Sequence, residues 1–148
     1  KGDIMKMMNF KINAKSESPT KTVVTARDFK MVIDEPKMLG GEDHGANPVE
    51  YLLGALSGCL NVVGHIVARE MGFDFNGMEI DIEGGLNPAK FMGKPSDERT
   101  GYQFIDVKIK PNMAMDNETL GKWAKEVEER CPVSDNIGNV TPISISLK

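Results

Sequence analysis

The chain has 148 residues, 40% of them apolar and 27% charged, with a formal net charge of −4. That length predicts a single domain, 1–148, able to bury roughly two-thirds of its unfolded surface. The acidic balance offers no basic stripe for phosphates, which excludes a nucleic-acid binder. The charges are intermixed along the chain and so predict a solvated surface, not an acidic tail.

The first stretch, KGDIMKMMNFKI, has no continuous apolar core and no small-residue cleavage site, so no secretory signal is expected. Alternating or β-branched residues predict strands over 4–14, 21–26 and 29–34. Turn chemistry at Ser18-Pro19 and Arg27-Asp28 separates them. DEPKMLGGEDHGAN, residues 34–47, reads as an irregular loop in which Gly40-Gly41 permit positive φ or close backbone approach.

A helix start follows. Asn47 suits the N-cap, Pro48 the first helical position, and Glu50 the third, a capping-box arrangement. Leu52, Leu56, Cys59 or Leu60, Val63 and Val67 then recur at helical spacing, and Gly72 is the expected end. The run from Tyr51 to Ala68 carries no charge, but Ser57, Asn61 and His65 interrupt it and it falls short of a full bilayer span. We expect a core helix covered on most sides, and no membrane association. Gly54, Ala55, Ser57, Gly58, Gly64 and Ala68 keep its surface small, as close packing by another helix or a partner chain would require.

Strands are predicted over 78–83 and 102–110, with an irregular excursion between them. A second helix begins near Asp116 and carries Leu120, Trp123, Val127 and Cys131 on one stripe. Pro132 breaks it at Cys131, and a short helix restarts toward Asn136 before Gly138. A last strand is expected over 141–147. The order βββ–α–ββ–α–β is an α+β fold with antiparallel sheet and two substantial helices.

Two cysteines without CxxC spacing give neither a disulfide framework nor a zinc site, and predict a reducing, cytoplasmic setting. Each thiol reads first as a small hydrophobe. Their functional reading is a pair: Cys59 lies on the packing stripe of one helix. Cys131 lies at a break where the N–H groups of a restarting helix stabilise a thiolate. His65 is turned about 240° from Cys59 around the helix, and His44 is a loop residue. Glu50 has its capping role beside any catalytic one. Arg27, at a strand end, is either solvated or a holder of a thiolate or peroxide oxygen. Trp123 and the ten methionines read as packing residues.

DEPKMLGGEDHGANPVEYLLGALSGCL together with CPVSDNIGN resembles the OsmC/Ohr family, the osmotically inducible and organic hydroperoxide resistance proteins, over nearly the whole chain. The resemblance implies an intertwined homodimer with two central helices flanked by sheets. It also implies a thiol peroxidase without metal or flavin: Cys59 attacks a hydroperoxide, Cys131 resolves the sulfenic acid as a disulfide, and a lipoyl- or thioredoxin-type dithiol reopens it. A glutamate and an arginine assist the first thiol in the family. Here Val49 directly follows the NP pair and Glu50 comes one step later, about 100° further around the helix, while Arg27 falls close to the Gly-Gly loop. A divergent OsmC-like branch is the expectation. The alternative reading is a non-catalytic dimer that binds a small apolar ligand or senses oxidants.

Overall fold

The computed structural model describes Gly2 and residues 4–148. It divides into two compact units, Lys1–Leu52 and Leu53–Lys148.

In the first unit β1 (Asn13–Ser16), β2 (Thr22–Ala26) and β3 (Phe29–Ile33) form an antiparallel sheet in the order β1-β2-β3. Val24, the buried residue of the central strand, stands opposite Ala14 on one side and Met31 on the other. Ala26 pairs with Phe29, so Arg27 and Asp28 form a two-residue hairpin turn. Such turns favour left-handed backbone because its twist matches that of the strands, and Arg27 takes φ 55°. β1 begins at Asn13, so the strand expected from residue 4 is mostly unformed. Ile4, Met5, Met7, Met8, Phe10 and Ile12 stand in solvent.

The chain leaves β3 at Asp34, whose side chain is 0% exposed. Its carboxylate accepts the backbone N–H of Glu35 at 2.8 Å, Glu42 at 3.3 Å and His44 at 3.1 Å. Asp34 therefore gathers the loop around itself. A 3₁₀ turn, Lys37–Leu39, leads to Gly40 at φ 87°, and a Cβ on Gly41 would overlap the Glu35 carbonyl. The glycine pair is thus a steric requirement of the loop. The His44 imidazole sits beside the same carboxylate, its Nδ1 3.5 Å from Asp34 and 3.4 Å from Glu42.

α1 (Pro48–Glu70) opens with the expected reciprocal box: Asn47 N–H donates to Glu50 Oε2 at 2.8 Å and Glu50 N–H to Asn47 Oδ1 at 2.9 Å. Tyr51 fixes the first turn by donating its hydroxyl to the Val32 carbonyl at 2.8 Å. Gly72, at φ 82°, follows the last turn.

The second unit contains the rest of α1, a β4 (Met78–Leu86) and β5 (Tyr102–Pro111) antiparallel pair, α2 (Asn117–Arg130) and α3 (Pro132–Gly138). Ile80 faces Ile109 and Gly84 faces Ile105 on the inner side, while Glu79 pairs with Lys110 outside. β4 runs further than its alternating residues predict because the Tyr102 and Phe104 rings cover Gly84 and Gly85. Asp116 caps α2 by accepting Thr119 N–H at 2.9 Å.

Leu56, Leu60, Val63, Val67 and Ala68 of α1 form the core with Trp123, Val127 and Cys131. Trp123 donates its indole N–H to the Gly64 carbonyl at 3.0 Å. A Cβ at Gly64 would come 2.5 Å from Met78 Cε and 3.0 Å from Trp123 Cζ2. The small residue here is what lets α2 touch the α1 backbone.

Two expectations are corrected. α1 buries one face and is not covered on most sides: Gly54, Ala55, Gly58, Asn61 and Val62 are open. By length and composition alone it is apolar enough to cross a membrane, as the core helix of a globular protein also can be. The strand expected over 141–147 is absent too. Residues 140–148 pair with no strand among the described residues, and Ile143, Ile145 and Leu147 are 85%, 90% and 98% exposed. The observed order is βββ–α–ββ–α–α. A strand needs an edge to pair with, and its alternating pattern cannot say where that edge lies.

Two outcomes follow from these contacts. Gly64→Ala gains helix propensity but overpacks against a ring held by its own hydrogen bond, and should destabilise the protein by about 1 kcal/mol net in urea unfolding. Burial would raise the Asp34 pKa, but the His44 N–H, the Thr20 hydroxyl and the Glu35 and Glu42 N–H groups outweigh it and hold it at about 2. A lowered folded pKa contributes stability that is complete above the ordinary value of 3.8 and is lost as pH falls toward about 2. Asp34→Asn should therefore be less stable than wild type at pH 7, with the difference narrowing between those two values in urea titrations at stepped pH.

Candidate active site

The four residues singled out in the sequence fall into two groups. Cys59 and Cys131 come together in the second unit; Arg27 and Glu50 lie in the first, each engaged locally. Glu50 closes the capping box with Asn47. Arg27 sits on the hairpin turn with its guanidinium carbon 4.9 Å from the centroid of the exposed Phe29 ring.

Cys59 reaches the core through helical phase. It follows the buried Leu56 by three residues and precedes the buried Val63 by four, so it stands at the margin of the packed face and is half-buried. Its neighbours one turn away on either side, Ala55 and Val62, are both exposed. Cys59 thus stands at the border between the core and the open face of α1.

Cys131 is 1% exposed. Trp123, Val127 and Cys131 repeat every four residues along one stripe of α2, so docking the indole on Gly64 carries Cys131 into the same cluster as Cys59. Pro132 cannot continue the ladder. Cys131 accordingly leaves helical geometry at φ −83°, ψ 108°, ends α2 and starts α3. Its sulfur accepts the Ser134 N–H at 3.4 Å and its carbonyl accepts the Asp135 N–H at 3.0 Å.

Burial is the largest influence on the Cys131 thiol and pushes its pKa up. The Ser134 N–H opposes this, the Cys59 thiol beside it raises the pKa further, and the Val133 N–H lowers it. The result lies above the ordinary value of 9.0, so Cys131 is a neutral thiol near pH 7. The arrangement is asymmetric: one thiol reachable from solvent, the other enclosed, protonated and beside it. Both are free.

Around the pair, Arg130 binds Glu70 through both guanidinium nitrogens, with Nη2 to Oε1 at 3.1 Å, and joins the ends of α1 and α2. The hydrogen bond to Arg130 depresses the Glu70 carboxyl, although partial burial opposes it, and the same bond raises Arg130. His65 donates its Nδ1–H to the Asn61 carbonyl at 2.8 Å and makes a T-shaped contact with the Phe75 ring, centroids 4.7 Å apart, so it belongs to a separate surface of α1. Sequence reasoning did not single out Asp34. The available signal was an acid directly after the Met31-Val32-Ile33 run, at the entry to the Gly-Gly loop.

No curated protein matches the chain. Solved structures resemble it in fold at low identity. An OsmC-like protein from Mycoplasma pneumoniae superposes with a TM-score of 0.77 at 18% identity, covering 90% of this chain and 89% of that one. An organic hydroperoxide resistance protein OsmC from Legionella pneumophila gives 0.67 at 18% identity, covering 90% and 91%. An organic hydroperoxide resistance protein from Elizabethkingia anophelis gives 0.65 at 17% identity, covering 89% of each. The OsmC-like protein family itself matches residues 40–146, from the Gly-Gly loop through both cysteines into the C-terminal segment. With that match across well over half its length, this chain belongs to the OsmC-like protein family.

Proposed function

We propose that the protein is a thiol peroxidase that reduces hydroperoxides through a reversible Cys59–Cys131 disulfide and so serves in oxidative-stress protection. The observation that carries the reading is the juxtaposition itself: a solvent-reachable thiol beside an enclosed one, in a family whose solved neighbours include organic hydroperoxide resistance proteins. The Cys59 thiolate attacks the O–O bond, the alcohol departs, and Cys59 becomes a sulfenic acid. Cys131, after losing its proton, attacks that sulfur and displaces water to form the disulfide. A dithiol then exchanges with the disulfide, restoring both thiols and leaving as its own disulfide. The apolar rim formed by Ala55 and Val62 favours organic hydroperoxides over H2O2, since an alkyl group has surface to bury there. A reducing cytoplasm supplies the dithiol.

Neither Arg27 nor Glu50 is assigned a step, because each has a local partner that accounts for it. With cumene hydroperoxide and a dithiol, the wild-type protein should consume peroxide, and Cys59→Ser should fall to the background rate. Cys131→Ser should still take up one equivalent of peroxide but stop at the sulfenic acid, detectable by a sulfenate-trapping reagent. Equal turnover in wild type and Cys59→Ser would sink the proposal. A Cys59 that resists both peroxide and alkylation would favour the binding-only reading.

The working unit is proposed to be a homodimer. The open face of α1 and the exposed apolar residues of the two terminal segments are surfaces that a second copy would cover. A Cβ at Gly54 or Gly58 would meet nothing within 4 Å in the single chain, so alanine there should stabilise a monomer by up to about 1 kcal/mol each. In a dimer that uses this face the same substitutions should weaken association, seen as a shift toward monomer in analytical ultracentrifugation. A wild type that sediments as a monomer would end the dimer proposal.

A further inference from the structure

We infer that α3 is a redox-operated lid, closed over Cys131 while both thiols are reduced and frayed once Cys131 is bonded to Cys59, so that the disulfide becomes reachable by its reductant. The inference rests on the disulfide proposed above and adds the means by which that disulfide is regenerated.

An enclosed resolving thiol poses an access problem. Thiol–disulfide exchange requires a thiolate to approach a sulfur along the S–S axis, and Cys131 is 1% exposed in the reduced protein. Either the exchange uses the Cys59 side alone or something moves. α3 is the element built to move. It has seven residues, none of them fully buried, and rests on the core through the partly buried Val133 and Ile137. A helix that short cannot sustain itself, since its nucleation cost is repaid by very few internal hydrogen bonds. Its side-chain ties lie at the surface, among them Asn136 Nδ2 to the Pro132 carbonyl at 2.9 Å, Asn139 Nδ2 to the Asp135 carbonyl at 3.0 Å and the Thr141 hydroxyl to Asn136 Oδ1 at 2.9 Å, while the Asp135 N–H reaches the Cys131 carbonyl at 3.0 Å.

At the buried end the cap is the reacting sulfur itself, which accepts the Ser134 N–H at 3.4 Å. That is already a long bond to a weak acceptor. Forming the disulfide draws Sγ to about 2.05 Å from the Cys59 sulfur and fixes the torsion about the new bond. As Cys131 Sγ turns toward Cys59 it leaves the Ser134 N–H, and α3, held to the core only through the partly buried Val133 and Ile137, loses its side-chain cap. Oxidation thus removes the cap from the helix that covers the oxidised atom. Two thiols and a hydroperoxide give the disulfide, an alcohol and water. The incoming dithiol then returns two thiols and leaves as a disulfide, after which Cys131 recaps α3.

Amide hydrogen exchange on the intact protein tests this. The disulfide is made with diamide, so that its formation does not depend on peroxidase activity, and Cys59→Ser treated identically serves as the control. The Ser134, Asp135 and Asn139 amides should exchange about ten-fold faster in the disulfide form. Protection in α2 should be unchanged, and the control should not respond. Equal or slower exchange in the disulfide form overturns the lid, as does failure of diamide to join the two cysteines within one chain. A disulfide that forms with diamide but never with cumene hydroperoxide overturns the peroxidase reading instead, and the exchange rates still decide the lid.

Discussion

The contact on which the second unit depends is the one between Trp123 and Gly64. The indole N–H reaches a carbonyl in the middle of α1 because residue 64 has no side chain to hold it away. That bond fixes two things at once: the distance between the helices and the rotation of α2 about its own axis. Rotation is the more consequential. Val127 and Cys131 follow Trp123 at steps of four residues, so once the ring is docked they must face the core as well. Arg130, one residue short of that phase, turns outward instead and closes on Glu70. The burial of Cys131, and hence its neutral thiol, is a consequence of an indole placed two turns earlier.

The same geometry gives the two cysteines different surroundings. Cys59 occupies the margin of its helix face and Cys131 the centre of its own. Burial penalises a thiolate at Cys131 more than the α3 amides relieve it. In the proposed cycle a sulfenic acid on Cys59 would be the adjacent electrophile that Cys131 attacks once it has lost its proton. In the proposed cycle the division of labour between the two thiols follows from their positions in the fold.

What was legible in the sequence was local. The capping box at Asn47 and Glu50, the break at Cys131, the packing of Trp123 and the rigid need for glycine at 41 all arise from interactions within a few residues or from a property of one residue type. What was not legible depends on partners far along the chain. Residues 4–12 and 141–147 carry strand patterns, yet join no sheet among the described residues, because alternation specifies which face is apolar and says nothing about which edge is available. Arg27 was read for its charge, whereas its place is set by a tight hairpin turn that requires left-handed backbone. Asp34 looked like the last residue of a strand. Its role appears only when the loop returns to bring the Glu42 and His44 amides onto it.

α1 carries the remaining tension in the fold. Gly54 and Gly58 each cost a helix up to about 1 kcal/mol relative to alanine, and in the single chain nothing approaches closely enough to need them. Gly64 shows what such a cost accomplishes when it is used, since there the missing side chain admits a ring. The open glycines lie on the face that also carries Ala55 and Val62, the two residues flanking Cys59. A surface packed onto those glycines would therefore also form the far wall of the approach to the thiol. It would set the size of hydroperoxide admitted and keep water from the sulfur during attack. In the proposed dimeric peroxidase, closeness of packing on that face and selectivity at Cys59 would be two effects of the same small residues.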